Sequence, residues 1–138
     1  MAYNDMPTFT TQIPCEFDRN YFLKIEDDGR VAYAYLLEGE DTIGDVWLYN
    51  RQEAPAISFW RTEDMPFLNP TEYLAKEAAI KPISAESEIR CEWTESLDDG
   101  LIEVGIYIRD KFIASVASGS KPGWSVLVAK DGPLALVY

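Results

Sequence analysis

Residues 21–51 constrain this chain most, because apolar and polar residues alternate there over three runs separated by two short turns. Leu23 and Ile25 alternate with Lys24 and Glu26. Val31, Tyr33, Tyr35 and Leu37 follow at a spacing of two, and Trp47 and Tyr49 repeat that spacing. Successive strand side chains point to opposite faces, so a period of two marks a pleated sheet with two distinct surfaces. Asp27-Asp28-Gly29 and Glu38-Gly39-Glu40-Asp41 supply the turns, and Gly29 offers the positive φ that a tight hairpin needs. A three-stranded antiparallel meander is expected, with Tyr21, Leu23 and Ile25 facing inward.

The second half carries the same kind of pattern. Ile89, Cys91 and Trp93 alternate with Arg90, Glu92 and Thr94. Asp98-Asp99-Gly100 precedes Ile102, Val104, Ile106 and Ile108, and Asp110-Lys111 turns the chain into an apolar run at 112–118. Trp124, Val126 and Val128 predict a further strand, Asp131-Gly132 a turn, and 134–138 a last strand with a free edge. Ile102, Val104 and Ile106 after their Asp-Asp-Gly parallel Val31, Tyr33 and Tyr35 after theirs, while Ile113 and Val116 parallel Ile43 and Val46. A duplicated meander and two unrelated acidic hairpins both account for this likeness.

Between the halves the period breaks. Residues 52–69 hold Pro55, Pro66, Ile57, Phe59, Trp60, Met65, Phe67 and Leu68, with room for a short strand at 56–61. A connector this apolar must pack on something, as a lid over the sheet or as a binding loop. Asn69 as N-cap, Pro70 at the first helical position and Glu72 open a helix pattern. Leu74, Ala75, Ala78 and Ala79 give it a narrow apolar stripe before Pro82, which predicts a helix over 70–80. The expected class is α+β: mostly antiparallel β in two meanders of about seven or eight strands, with one helix between them packed on the sheet. At 138 residues the chain suits a single domain. Its parts are an N-terminal arm at 1–20 with one short edge strand near 8–13, a first meander at 21–51, a connector at 52–69, the helix at 70–80 and a second meander at 88–138.

Charge narrows the function. Asp and Glu number 24 against 12 Lys and Arg, a formal net charge of −12. Phosphate backbones and anionic membranes repel such a surface, and the cations are scattered without a basic patch, so no nucleic-acid or membrane partner is expected. The excess of acid serves solubility, or it presents a face to a basic protein partner. Residues 1–20 lack a basic segment followed by an apolar run, and no stretch approaches the ~18 apolar residues of a membrane span. Cys15 and Cys91 form no obvious framework and suit reduced thiols, although a disulfide between them is open from sequence alone. A cytoplasmic location is expected.

Histidine is absent, which removes the commonest general base and metal ligand, and with them the usual Ser-His-Asp, Cys-His and zinc sites. Acids cluster at Glu38, Glu40, Asp41 and Asp45, and again at Glu92, Glu95, Asp98 and Asp99, as solvated hairpin ends commonly do. The first set offers oxygen ligands without the EF-hand pattern, and no phosphate-cradling glycine motif occurs. Cys91, alternating with Ile89 and Trp93, suits a buried inert thiol. No metal, cofactor or catalytic residue is therefore expected, and the reading leans away from an enzyme. The residues singled out for a partner surface are Glu38, Glu40, Asp41, Asp45, Trp47, Tyr49, Arg51, Trp60 and Arg61, since Trp, Tyr and Arg dominate interface hot spots. The competing role for Trp47, Trp60 and Trp93 is core packing. The expected function is an acidic interaction module of the inhibitor or immunity type. The alternatives are a small-molecule-binding domain or carboxylate-based enzyme with a pocket between sheet and helix, and a β-rich assembly subunit.

Overall fold

A computed structural model describes residues 8–58 and 60–138; the first seven residues of the expected arm and Phe59 of the connector lie outside that range. Among the described residues nine strands form two sheets. The first sheet orders β1 (Phe9–Pro14), β2 (Tyr21–Asp27), β3 (Val31–Glu38) and β4 (Asp41–Asn50) as an antiparallel meander. The second orders β5 (Ile89–Glu95), β6 (Ile102–Ile108), β7 (Lys111–Ala117), β8 (Trp124–Ser125) and β9 (Leu136–Val137), antiparallel until β9 joins β8 in parallel.

One apolar cluster draws on both sheets. Leu23 and Ile25 of β2 face Leu36 and Ala34 of β3, and Ile102, Val104 and Ile106 answer them from β6. β4 lies against β7 and β8, and its outer edge is closed by the second half of the chain. There Gly119 N–H donates to Ile43 O at 2.7 Å, Asp45 N–H to Ser120 O at 2.9 Å, Gly123 N–H to Asp45 O at 2.7 Å and Trp47 N–H to Leu134 O at 3.0 Å. The edge that would have been an open template is thus paired from Ile43 to Trp47.

The β3–β4 and β6–β7 hairpins match at their turns and in the slip beside them. Glu38↔Asp41 and Ile108↔Lys111 close two-residue turns. In each hairpin the register then slips by one: Leu36↔Gly44 gives way to Leu37↔Thr42, and Ile106↔Ala114 to Tyr107↔Phe112. The extra residues are Ile43 and Ile113, which stand 70 positions apart, as do the turns. A β-bulge is a specific feature rather than a defect. Shared at the same place, it favours the duplicated meander over two unrelated hairpins.

The predicted helix over 70–80 is overturned, and with it the α+β class: the fold is all-β. Among the described residues there is no α-helix, only single 3-10 turns at Thr62–Asp64, Thr71–Tyr73 and Glu86–Glu88. Asn69 is buried and spends its backbone on Asn50, donating N–H to Asn50 Oδ1 and accepting Asn50 Nδ2–H at the carbonyl, both at 2.9 Å. Pro70 is extended, with ψ 154°, and after one tight turn Leu74 is extended again. Leu74 then bridges Val128, Ala75 N–H donates to Leu127 O at 2.9 Å, and Ala129 N–H donates to Tyr73 O at 2.8 Å. Roughly ten residues between two prolines are too few to hold a helix by propensity alone. An alanine stripe offers little area to bury, so pairing with the neighbouring extended chain wins.

Smaller expectations also shift. The strand expected at 124–128 shortens to Trp124–Ser125, and the last strand to Leu136–Val137. The outward N–H of Val137 donates to Asp131 Oδ1 at 2.8 Å, which blunts that edge. No strand forms among the described residues of 56–61. Among the described residues no helix is long and apolar enough to cross a membrane.

Candidate functional site

The period-two reading places Asp45, Trp47, Tyr49 and Arg51 on one face, and the structure divides them. β3 and β4 pair Tyr33↔Trp47 and then Ala32↔Tyr49, so Leu48 is an extra residue and the alternation resets there. Asp45 and Trp47 share the face of Tyr35 and Tyr33, whereas Tyr49 and Arg51 turn to the opposite face with Asp27.

On that opposite face lies a buried polar knot. Arg51 Nε donates to both Asp27 oxygens, at 2.8 and 2.7 Å, while Gly29 N–H donates to Asp27 Oδ1 at 2.9 Å. Tyr49 Oη donates to Asp27 Oδ2 at 2.6 Å and accepts the Ile83 N–H at 2.9 Å. Burial, reinforced by the bond to Asp27, raises the Tyr49 phenol far above its ordinary value and keeps it a donor. Asp27 is 1% exposed and every visible partner is internal, so this knot pins the 83 segment to the sheet and offers nothing to a ligand.

The outer face of the first sheet is different. Met65, Pro66 and Phe67 of the connector lie across it and, with Tyr33, Tyr35, Asp45, Pro133 and Leu134, line a cleft of about 170 Å³. Tyr33 Oη donates to Phe67 O at 2.6 Å, and Arg30 reaches Pro66 O at 3.3 Å and Asp64 O at 3.5 Å, which fasten this lid. The Tyr33 and Tyr35 rings stack with centroids 6.1 Å apart and planes 15° apart. Asp45 is the register partner of Tyr35, which puts their Cβ atoms roughly 5 Å apart. Burial raises the Asp45 carboxyl above its usual range, with Lys121 pulling the other way. No described side chain hydrogen-bonds or ion-pairs with that carboxylate within contact distance. Burial also pushes the Tyr35 phenol up to about 12, with help from Glu26, Asp45 and Asp28.

The other residues expected at a partner surface scatter. Glu38, Glu40 and Asp41 stand exposed at the β3–β4 tip, and Glu38 Oε2 accepts the Tyr21 hydroxyl at 3.2 Å. Trp47 is 1% exposed, and its indole N–H donates to Asn50 Oδ1 at 2.9 Å; with Tyr49 fully buried as well, both belong to the core. Trp60 is 41% exposed and rests edge-on against Phe67 at 5.2 Å; Ile57 and Met65 of the same connector are also exposed. Arg61 pairs with Asp64 at 3.0 Å in solvent. The structure thus gathers Asp45 and, at the lid's rim, Trp60. It adds Tyr33 and Tyr35, marked in the sequence by their Tyr-x-Tyr period, and Phe67, one of the apolar residues of the connector; only the strand register sets Tyr35 opposite Asp45.

Among the described residues no three Asp, Glu, Cys or His side chains gather as a metal site would require. Both cysteines are free; Cys15 is buried, and burial pushes the Cys91 thiol up to about 12, so it is not a nucleophile near neutral pH. Comparison with family models, with curated proteins and with solved structures finds no match to this chain.

Proposed function

We propose that this chain is a single-domain, non-enzymatic interaction module of the cytoplasm that binds a basic protein partner through the outer face of its first sheet. The observation that carries this reading is the cleft beneath the connector, where a half-buried carboxylate without a partner meets two tyrosine rings. Exposed Met65 in its wall and Trp60, packed on Phe67, add the kind of apolar and aromatic anchor that interface hot spots use. A net charge of −12 would steer a basic partner toward it. A small-molecule role for this cleft draws less support, because its volume of about 170 Å³ falls below the roughly 300–1,000 Å³ of drug-sized sites.

The test is affinity capture from lysate of the cells that make the protein, at low and at high salt, followed by reconstitution with the purified partner. A basic protein held at low salt, shed at high salt and rebound in pure form supports the module. Capture of no basic protein at either salt overturns it.

A further inference from the structure

Twice this chain completes a tyrosine–carboxylate pair with a cation of its own. Arg90 sits with its guanidinium carbon 3.9 Å from the Tyr107 ring centroid and donates to Glu92 Oε2 at 2.7 Å. Lys130 lies 5.1 Å from the Tyr73 centroid and donates to Glu72 Oε2 at 2.8 Å. The cleft on the first sheet holds the same two parts, Tyr33 and Tyr35 with Asp45, and among the described residues no cation completes it. Arg30 is engaged by Asp28 and the lid carbonyls, and Lys24 by Glu26 at 3.1 Å. Lys121 acts on Asp45 without forming an ion pair.

We propose that this cleft receives the guanidinium of a single arginine side chain from the basic partner, stacked on the Tyr33–Tyr35 rings and paired with Asp45. The inference rests on the interaction-module reading and names the group it recognises. Three observations select arginine. The cleft volume of about 170 Å³ suits one side chain. Its walls, Met65, Pro66, Phe67 and Leu134, strip water from whatever enters, and a guanidinium is more weakly hydrated than an ammonium. The near-parallel tyrosine rings line the cleft, and a planar cation stacked on them would gain both the ring quadrupole and the carboxylate. Keeping a half-buried carboxylate without an ion-pair partner beside two tyrosine rings is a local conflict of the sort that marks functional positions.

The test is an NMR titration of the full-length protein with N-acetyl-arginine amide, against the lysine amide and the neutral isostere N-acetyl-citrulline amide. Arginine should shift the backbone resonances of Tyr33, Tyr35, Asp45, Phe67 and Leu134 saturably, and citrulline should leave them in place. Asp45→Asn should weaken arginine binding at least about tenfold while melting no lower than wild type, which a merely structural aspartate would not allow. Shifts confined to exposed acids, or lysine binding as tightly as arginine, would overturn the assignment. The broader reading fails separately: a basic partner captured equally by wild type and Asp45→Asn sinks the cleft and leaves the module standing. No basic partner captured by either sinks both.

Discussion

Asp27 is buried and Asp45 half-buried, and their partners give them opposite roles. Asp27 accepts from Arg51, Tyr49 and the Gly29 N–H, so its charge is compensated inside the fold. Tyr49→Phe removes one donor to that carboxylate and leaves the buried Ile83 N–H without its acceptor. An unsatisfied buried group costs about 1–3 kcal/mol, and urea unfolding of Tyr49→Phe should show a loss of that size with no change in m-value. Asp45 lacks such compensation. Its folded-state carboxyl lies above the ordinary 3.8, so the stability it contributes is complete below that value and is lost as pH rises through the elevated one. Asp45→Asn should therefore melt higher than wild type at neutral pH and level with it near about pH 3. Equal melting temperatures across the whole range would show that burial at Asp45 carries no cost.

The strands were legible where period two ran unbroken and misleading where a single residue interrupted it. Leu23 and Ile25 face the core as the alternation requires. Leu48, by contrast, is an apolar residue among apolar neighbours, and nothing local marks it as the inserted one; only pairing with Ala32 and Tyr33 reveals the slip that separates Trp47 from Tyr49. The helix at 70–80 failed for a related reason. Its capping signals are local, and the partners that overruled them, Asn50, Leu127 and Ala129, lie far away in sequence. The tight crossings are equally invisible along the chain. A Cβ at Gly123 would stand 2.3 Å from Ser115 O and 3.0 Å from Val116 Cα, whereas one at Gly119 meets nothing, although its φ is +85°. Gly119→Ala should cost the roughly 1–2 kcal/mol of a left-handed residue. Gly123→Ala must push β7 and the β4 edge apart and should cost about 3 kcal/mol or more. Thermal melts that reverse this order would contradict the closure of β4 by residues 119–123. Trp47→Ala, which hollows the core beside Leu74 and Ala78, should cost about 3–5 kcal/mol in the same assay.

At the scale of the whole molecule, the surplus of acids opposes folding. Of the ion pairs among the described residues, Arg51–Asp27 is the most deeply buried, at 16% and 0% side-chain exposure. Pairs such as Lys130–Glu72, Arg90–Glu92 and Arg61–Asp64 stand in solvent, where water and salt screen them and each adds little. Against these small gains stands the mutual repulsion within a chain of 24 acids and 12 bases, the acids gathered most densely at the hairpin turns. Screening weakens repulsion and attraction alike, so the sign of the salt response reports which dominates. The Debye length falls from about 30 Å at 0.01 M salt to about 8 Å at 0.15 M, which quenches long-range repulsion and leaves the buried Asp27–Arg51 contact nearly untouched. The melting temperature should therefore rise as sodium chloride is added over that interval, although affinity for a basic partner falls over the same interval. A melting temperature that drops instead would mean that the solvent-exposed pairs outweigh the net charge. The acidic surface would then be a stabilising network rather than one held, at some cost in stability, for a partner of opposite sign.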